Sequence, residues 1–207
     1  MKRFRATILA ICLILGWLGY TDLSTYLRNP EPLQISINEL ERSGAPREWL
    51  TVADGYQDLL QAINMSGTME IDSFLVPLKS APDAAEARVW FETRDPQIVD
   101  TLKTYYFLLE QEDQKAGFLQ ENRDLFHGQR ALTGMTADSL VADSNQQKLV
   151  KLLKEMNVPV SESTIFISEG KQPAFWRGVF YAAMALIGLL KVAADLRKKN
   201  TPAKLQE

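Results

Sequence analysis

The chain holds one cysteine and one histidine in 207 residues. With Cys12 alone no intrachain disulfide can form, and no zinc site can be built on cysteine. A Ser-His-acid site has only His127 to use, and no Gly-x-Ser-x-Gly elbow stands in the chain to supply a nucleophile. Glycine-rich phosphate loops and EF-hand spacings are missing as well. Positive charge is scarce in the middle, where residues 22–174 carry 14 basic against 24 acidic side chains, a net −10. Such a segment repels a phosphate backbone, so no nucleic-acid partner is expected. No cofactor and no metal are expected either. A middle without cysteine tolerates an oxidising compartment.

Two long apolar runs flank that acidic middle. Ala6 to Thr21 is free of charge and follows Lys2, Arg3 and Arg5. It reads as an uncleaved signal-anchor, with residues 1–5 in the cytoplasm and 6–21 as a transmembrane helix. A cleaved signal peptide is the alternative, but the run ends in Trp17, Leu18, Gly19 and Tyr20 rather than in the small residues a cleavage site wants. Arg5 can snorkel at one end, and Trp17 and Tyr20 suit the far interface.

In the second run Arg177 and Lys191 bracket the uncharged stretch Gly178 to Leu190. With both side chains snorkelling outwards, residues 175–194 form a helix about 30 Å long, enough to cross. Trp176 and Tyr181, with Phe175 and Phe180, form an aromatic belt at one end, and Arg197, Lys198 and Lys199 mark the other. An amphipathic helix lying in the interface is the alternative. Gly178, Ala182, Ala185 and Gly188 place small residues where a neighbouring helix can approach.

Positive charge precedes the first run and follows the second, so the positive-inside rule puts both termini in the cytoplasm. The soluble domain, residues 22–174, is then extracytoplasmic, most simply outside a bacterial inner membrane, and residues 195–207 form a basic cytoplasmic tail. The anchoring residues on this reading are Arg5, Trp17, Tyr20, Trp176, Arg177, Tyr181 and Lys191.

Proline-containing stretches, Asn29-Pro30-Glu31-Pro32 and Gly170-Lys171-Gln172-Pro173, read as hinges at the borders of the domain. Between them, strands are expected at residues 34–38, 48–52, 71–79, 87–93, 130–135 and 164–168. Pro77 marks an edge or bulge in the third of these. A helix is expected after Asp54, whose spacing to Gln57 resembles a capping box, with Tyr56, Leu59, Leu60 and Ile63 on one face. A second helix opens at Asp95-Pro96 and carries Ile98, Leu102, Tyr105 and Leu109. A third follows Ser144, with Leu149, Leu152, Leu153 and Met156 on its buried side. Glu110 to Lys115 reads as a solvated charge run. The fold class is an α+β domain, a mostly antiparallel sheet with about three helices, flanked by two transmembrane helices.

Chemistry is hard to place. His127 is a weak catalytic candidate in an apparent loop. Ser168 and Lys171 stand in a Ser-x-x-Lys spacing, but beside water rather than in the desolvated pocket that acyl transfer requires. Glu70 with Asp72, and Glu110 with Glu112 and Asp113, are carboxylate groups of the kind that decorate surfaces. Trp49, Trp90, Tyr105, Tyr106 and Phe107 are the larger aromatics; Trp49 and Trp90 sit on expected strands, core packing explains them, and an exposed aromatic pair on a partner surface is the alternative. The expected function is a membrane-held interaction or structural domain, a subunit or scaffold of an assembly. Its partners are the lipid bilayer and another membrane protein or a second copy. A ligand or lipid sensor, and then a membrane-surface hydrolase, are the alternatives.

Overall fold

A computed structural model of the chain describes residues 2–65, 72–136, 150, 151, 153, 154, 158, 160 and 163–200. In chain order the elements are α1 (Lys2–Arg28), β1 (Leu33–Ile35), α2 (Ile37–Ser43), β2 (Trp49–Gln57), β3 (Ile63–Asn64), β4 (Phe74–Lys79), β5 (Val89–Thr93), α3 (Pro96–Lys103), α4 (Glu112–Glu121), α5 (Arg123–His127), β6 (Gln129–Thr136), β7 (Ile165–Glu169) and α6 (Phe175–Asn200). A 3₁₀ turn at Leu59–Gln61 and a π-helical turn at Thr104–Leu108 complete the set, and residues 150, 151, 153 and 154 are also helical. Two compact units result, Met1–Pro30 with Pro173–Glu207, and Glu31–Gln172.

Within Glu31–Gln172 the strands run in the order β1-β2-β6-β7-β5-β4-β3, and β2 also pairs with β4. That extra pairing, Tyr56 opposite Lys79 and Gln57 opposite Leu78, closes β2, β6, β7, β5 and β4 into a small barrel. Most pairs are antiparallel, while β1 with β2 and β5 with β7 are parallel. Barrel closure depends on β2 bending. Its register with β6 shifts between Val52 and Gly55, a bulge of the kind that turns a strand. At Gly55 any Cβ would collide with the Leu78 side chain, so the crossing of β2 over β4 needs glycine there. Gly134 does the same between β6 and β7, where a Cβ would collide with the Ser168 carbonyl.

Strand alternation sorts the apolar residues into two cores. Leu50, Val52, Phe74, Val76, Leu78, Val89, Phe91, Leu132 and Ile167 form the inner one, joined by Ile37, Leu40, Leu59, Ile98, Leu102 and Phe126. Leu75, Trp90 and Phe166 point the other way and are covered by Ile63, Ala87, Val150 and Leu153. Strands with both faces covered read as unbroken apolar runs, which is why Phe74–Lys79 is buried at all six positions.

Several expectations need correcting. No helix follows Asp54: β2 continues to Gln57, and the 3₁₀ turn and β3 take up the rest. The Asp54 carboxylate instead accepts from the Ile37 N–H at 2.8 Å, at the start of α2, where negative charge suits the helix dipole. The strand expected at residues 34–38 stops at Ile35, because Ser36 caps α2 by accepting from Glu39 N–H. Pro77 lies on no edge. Its neighbours Leu75 and Leu78 pair with β3 and β2 in turn, so Pro77 sits where the partner changes, and its carbonyl accepts from Asp58 N–H at 3.2 Å. Glu112 to Lys115, read as part of a charge run, form the first turn of α4, though Glu110 to Asp113 are exposed as expected. Asp95 caps α3 through Gln97 N–H at 2.9 Å, with Pro96 first in the helix. Ser144, Leu149, Leu152, Met156, Glu70 and Ile71 lie outside the described residues.

Candidate functional site

The unit formed by α1 and α6 is an antiparallel helix pair. Cys12 faces Gly188 near one end, and the Tyr26 and Phe175 rings meet at 4.7 Å near the other. Small residues let the backbones approach. A Cβ on Gly19 would lie 2.8 Å from Ala182 N and 3.0 Å from the Gly178 carbonyl, and one on Gly178 would lie 2.9 Å from Asp22 Cβ. Cys12, Gly16, Gly19 and Leu23 recur at i, i+4, i+7 and i+11, one stripe of α1. Gly178, Ala182, Ala185 and Gly188 answer them on α6, as the small-residue spacing suggested.

The remaining faces are apolar and outward. Segments Ala6–Arg28 and Phe175–Ala194 are long and apolar enough to cross a membrane, and of an 18-residue apolar stretch in each, of mean hydropathy 1.7 and 1.5, only 11% and 17% is buried. A core helix of a soluble protein is mostly enclosed, and these are not. Trp17, Tyr20, Trp176 and Lys191 are exposed, Tyr181 is half-exposed, and α1 runs through Arg5. Arg177 donates from Nε and Nη2 to the two carboxylate oxygens of Asp22, at 2.8 and 2.9 Å. Arg177, expected as a snorkelling anchor, is tied to Asp22, a residue to which the sequence assigns no role. The Asp22/Arg177 fork and the Tyr26/Phe175 contact mark the same end of the pair.

In the barrel domain, His127 ends α5 with its Nδ1 3.6 Å from Asp58 Oδ1, beyond hydrogen-bond reach. Asp58 is itself committed: Oδ2 accepts from Lys79 Nζ at 2.7 Å, and Oδ1 accepts from Leu60 N–H at 3.2 Å. Lys79 and Asp58 are both buried. Their pair ties β4 to the end of β2, where the barrel closes. Tyr106 Oη donates to the Leu60 carbonyl at 2.8 Å. Burial pushes the Tyr106 phenol upwards, helped by the nearby Tyr105 and Asp58. Among the described residues no hydrogen bond joins His127 to a serine, threonine or cysteine side chain.

A second polar cluster centres on Arg130 of β6, which bonds Asp95 at 3.0 Å and Glu169 through both Nε and Nη2. Its guanidinium stands 5.9 Å from the centre of the Phe91 ring. Burial works against the Arg130 charge, but Glu169 and Asp95 outweigh it and hold the group above its ordinary pKa. Burial also favours a neutral Asp95, yet Arg130 and the Gln97 and Ile98 N–H groups hold its carboxyl below the usual range. This network joins β6, β7 and the start of α3. Beside it a polar cleft of about 430 Å³ is lined by Gln57, Gln97, Asn122, Asp124, Gln129 and Arg130.

Ser168 and Lys171 share a cleft of about 340 Å³ with Glu92, Arg94 and Glu169. The contact between them is from Lys171 N–H to the Ser168 carbonyl, at 3.3 Å. The Lys171 side chain is exposed, without the desolvation that a lysine base needs. Among the described residues no group of three or more His, Cys, Asp or Glu side chains is placed to hold a metal. Glu112 pairs with Lys115 at 3.3 Å. Trp90 is core, donating to the Ala87 carbonyl at 3.2 Å, and Trp49 is half-buried.

Comparison of the chain with protein-family models, with curated proteins and with solved structures found no match.

Proposed function

We propose that the chain is an integral membrane protein in which α1 and α6 cross the bilayer as a packed pair and hold the barrel domain on the extracytoplasmic side. There the domain serves as an interaction module of a larger membrane assembly. The observation that carries the reading is the helix pair: a small-residue seam turned inward, with Leu13, Ile14, Trp17, Phe180, Leu186, Ile187 and Leu190 turned outward. In water such a surface is an aggregation liability, whereas in lipid the packing of small residues is what joins two helices. Basic flanks before the first apolar run and after the second orient the pair with both termini in the cytoplasm, and the cell type that fits most simply is a bacterium.

Interaction rather than catalysis is favoured by the polar groups of the barrel. Asp58 with Lys79 and Arg130 with Asp95 and Glu169 use their charges on one another to join strands, which leaves His127 without an activated partner. Single-cysteine labelling tests the topology. With Cys12 replaced by serine, Gln97→Cys should react with an impermeant maleimide in cells whose inner membrane is intact, and Asn200→Cys should react only after lysis. Equal labelling of both in intact cells, or labelling of Asn200→Cys alone, would exclude the arrangement.

A further inference from the structure

Among the described residues of the barrel domain nearly every large apolar side chain is enclosed, and the exceptions gather in one place. Among its described residues the exposed ones are Leu60, Tyr106, Phe107 and Leu108. Three of them are consecutive, and the hydrogen bond from Tyr106 Oη to the Leu60 carbonyl joins the fourth to the same patch. The backbone explains how they are presented. Helix α3 buries Ile98, Val99 and Leu102 in register, and then Thr104–Leu108 widens into a π turn closed by Leu109 N–H on the Thr104 carbonyl at 3.1 Å. Tyr105 remains against Phe126, with ring centres 5.3 Å apart, while the next three side chains leave the core. Isolated π turns are uncommon and are frequent at functional sites. Phe107 and Leu108, 59% and 72% exposed, gain little for folding.

We infer that Leu60, Tyr106, Phe107 and Leu108 form the surface through which the domain grips a protein partner, by apolar side chains of that partner set among lysines and arginines. This rests on the reading of the domain as an interaction module. Charge selects the occupant. Between positions 100 and 115 the chain around the patch carries Asp100, Glu110, Glu112 and Asp113 against Lys103 and Lys115, a net −2, with Lys115 and Glu112 paired to each other. The whole segment 22–174 is acidic. A second copy would bring the same negative rim, and an anionic lipid surface would be repelled likewise, whereas a basic rim complements it. The apolar centre supplies the grip, in the manner of aromatic anchors surrounded by polar residues.

The test uses the full-length chain solubilised gently from native membranes. p-Benzoylphenylalanine is placed at Phe107 or Leu108, with Gln97 as an exposed control, and the cross-linked peptide is sequenced. In parallel, partner recovery is compared between wild type and Phe107→Glu/Leu108→Glu. The expected result is one protein cross-linked from positions 107 and 108 but not 97, through an apolar segment bordered by basic residues. Its recovery should fall about tenfold or more in the double variant. Should the double variant misfold, judged by its gel-filtration volume and melting, Phe107→Ala reads the same surface. A partner that co-purifies equally with both chains overturns the surface and leaves the interaction reading standing. Cross-links to lipid, to a second copy or to an acidic segment also overturn the surface. Solitary wild-type chain, free of any stoichiometric protein, removes both.

Discussion

Leu50, Leu78, Leu102 and Leu132 of the barrel domain are fully enclosed, whereas Leu13, Leu186 and Leu190 of the helix pair stand 70%, 58% and 61% exposed. The side chain is the same, and on the proposed reading the solvent around it differs. In the barrel, water drives leucine inward at about 25 cal/mol per Å² of apolar surface removed, and close strand crossings are made possible by Gly55 and Gly134. In the helix pair Gly19, Gly178 and Ala185 are among the enclosed positions while most of the leucines stand outside, an inversion that is stable where the surroundings are themselves apolar.

The sharpest way to break this contrast is one large-to-small change in each region. Phe91→Ala opens the inner core of the barrel and should lower stability by about 3–5 kcal/mol, while Leu13→Ala in detergent should change it by less than about 0.5 kcal/mol. Denaturant melts of the two purified chains would show the difference, and equal losses would mean that Leu13 is packed after all. Next comes the buried pair at the barrel closure. Asp58→Asn leaves Lys79 without its counter-charge and should cost about 3 kcal/mol, and joint replacement, Asp58→Asn with Lys79→Met, which keeps an oxygen for the Leu60 N–H, should recover most of it. A double variant no more stable than the single one would show that the charges themselves are required.

The helix seam responds to size rather than charge. Gly19→Leu forces side-chain atoms against Ala182 and Gly178, so oxidative cross-linking of Cys12 to Gly188→Cys, expected in the otherwise unchanged chain because Cys12 faces Gly188, should be largely lost. Acid provides a smaller effect. The depressed Asp95 carboxyl contributes stability that is fully present above its ordinary pKa of 3.8 and is lost as pH falls through the lower folded value. Melting temperature measured between pH 5 and pH 2 should therefore fall less steeply in Asp95→Asn than in wild type. Smallest of all, Arg177→Gln breaks the fork to Asp22, whose arginine is 60% exposed. In detergent it should cost about 0–1 kcal/mol. A larger loss would mean that this pair is shielded from water.

Sequence legibility follows the same division. The helix pair could be read from one feature, a long uncharged run, and even its seam was visible in Gly178, Ala182, Ala185 and Gly188. The contribution of Asp22 was not, because its partner lies 155 positions away. In the barrel, Asp95-Pro96 named its own helix start, and the apolar runs at Phe74 and Val89 named their strands. The segment from Asp54 to Ile63 misled, since a helical spacing of Tyr56, Leu59, Leu60 and Ile63 arises there by accident. Gly55, poor in a helix by about 1 kcal/mol, was the warning, and it marks the bend of β2. Similarly, Ser36 and Glu39 have capping-box spacing, a local signal for α2 that the apolar alternation at Gln34–Asn38 overrode. Barrel closure and the Arg130 cluster depend on pairing between distant strands, to which periodicity is blind. Exposure of Phe107 and Leu108 depends on a π turn that shifts the helix phase by one residue, and no local pattern announces it.

The account stands most directly on α1 and α6 lying within lipid. Membranes containing the full-length chain should retain it in the pellet after an alkaline carbonate wash and release it only to detergent. Recovery of the intact chain in the carbonate supernatant would contradict the account, and the outward leucines would then need a protein cover instead of a bilayer.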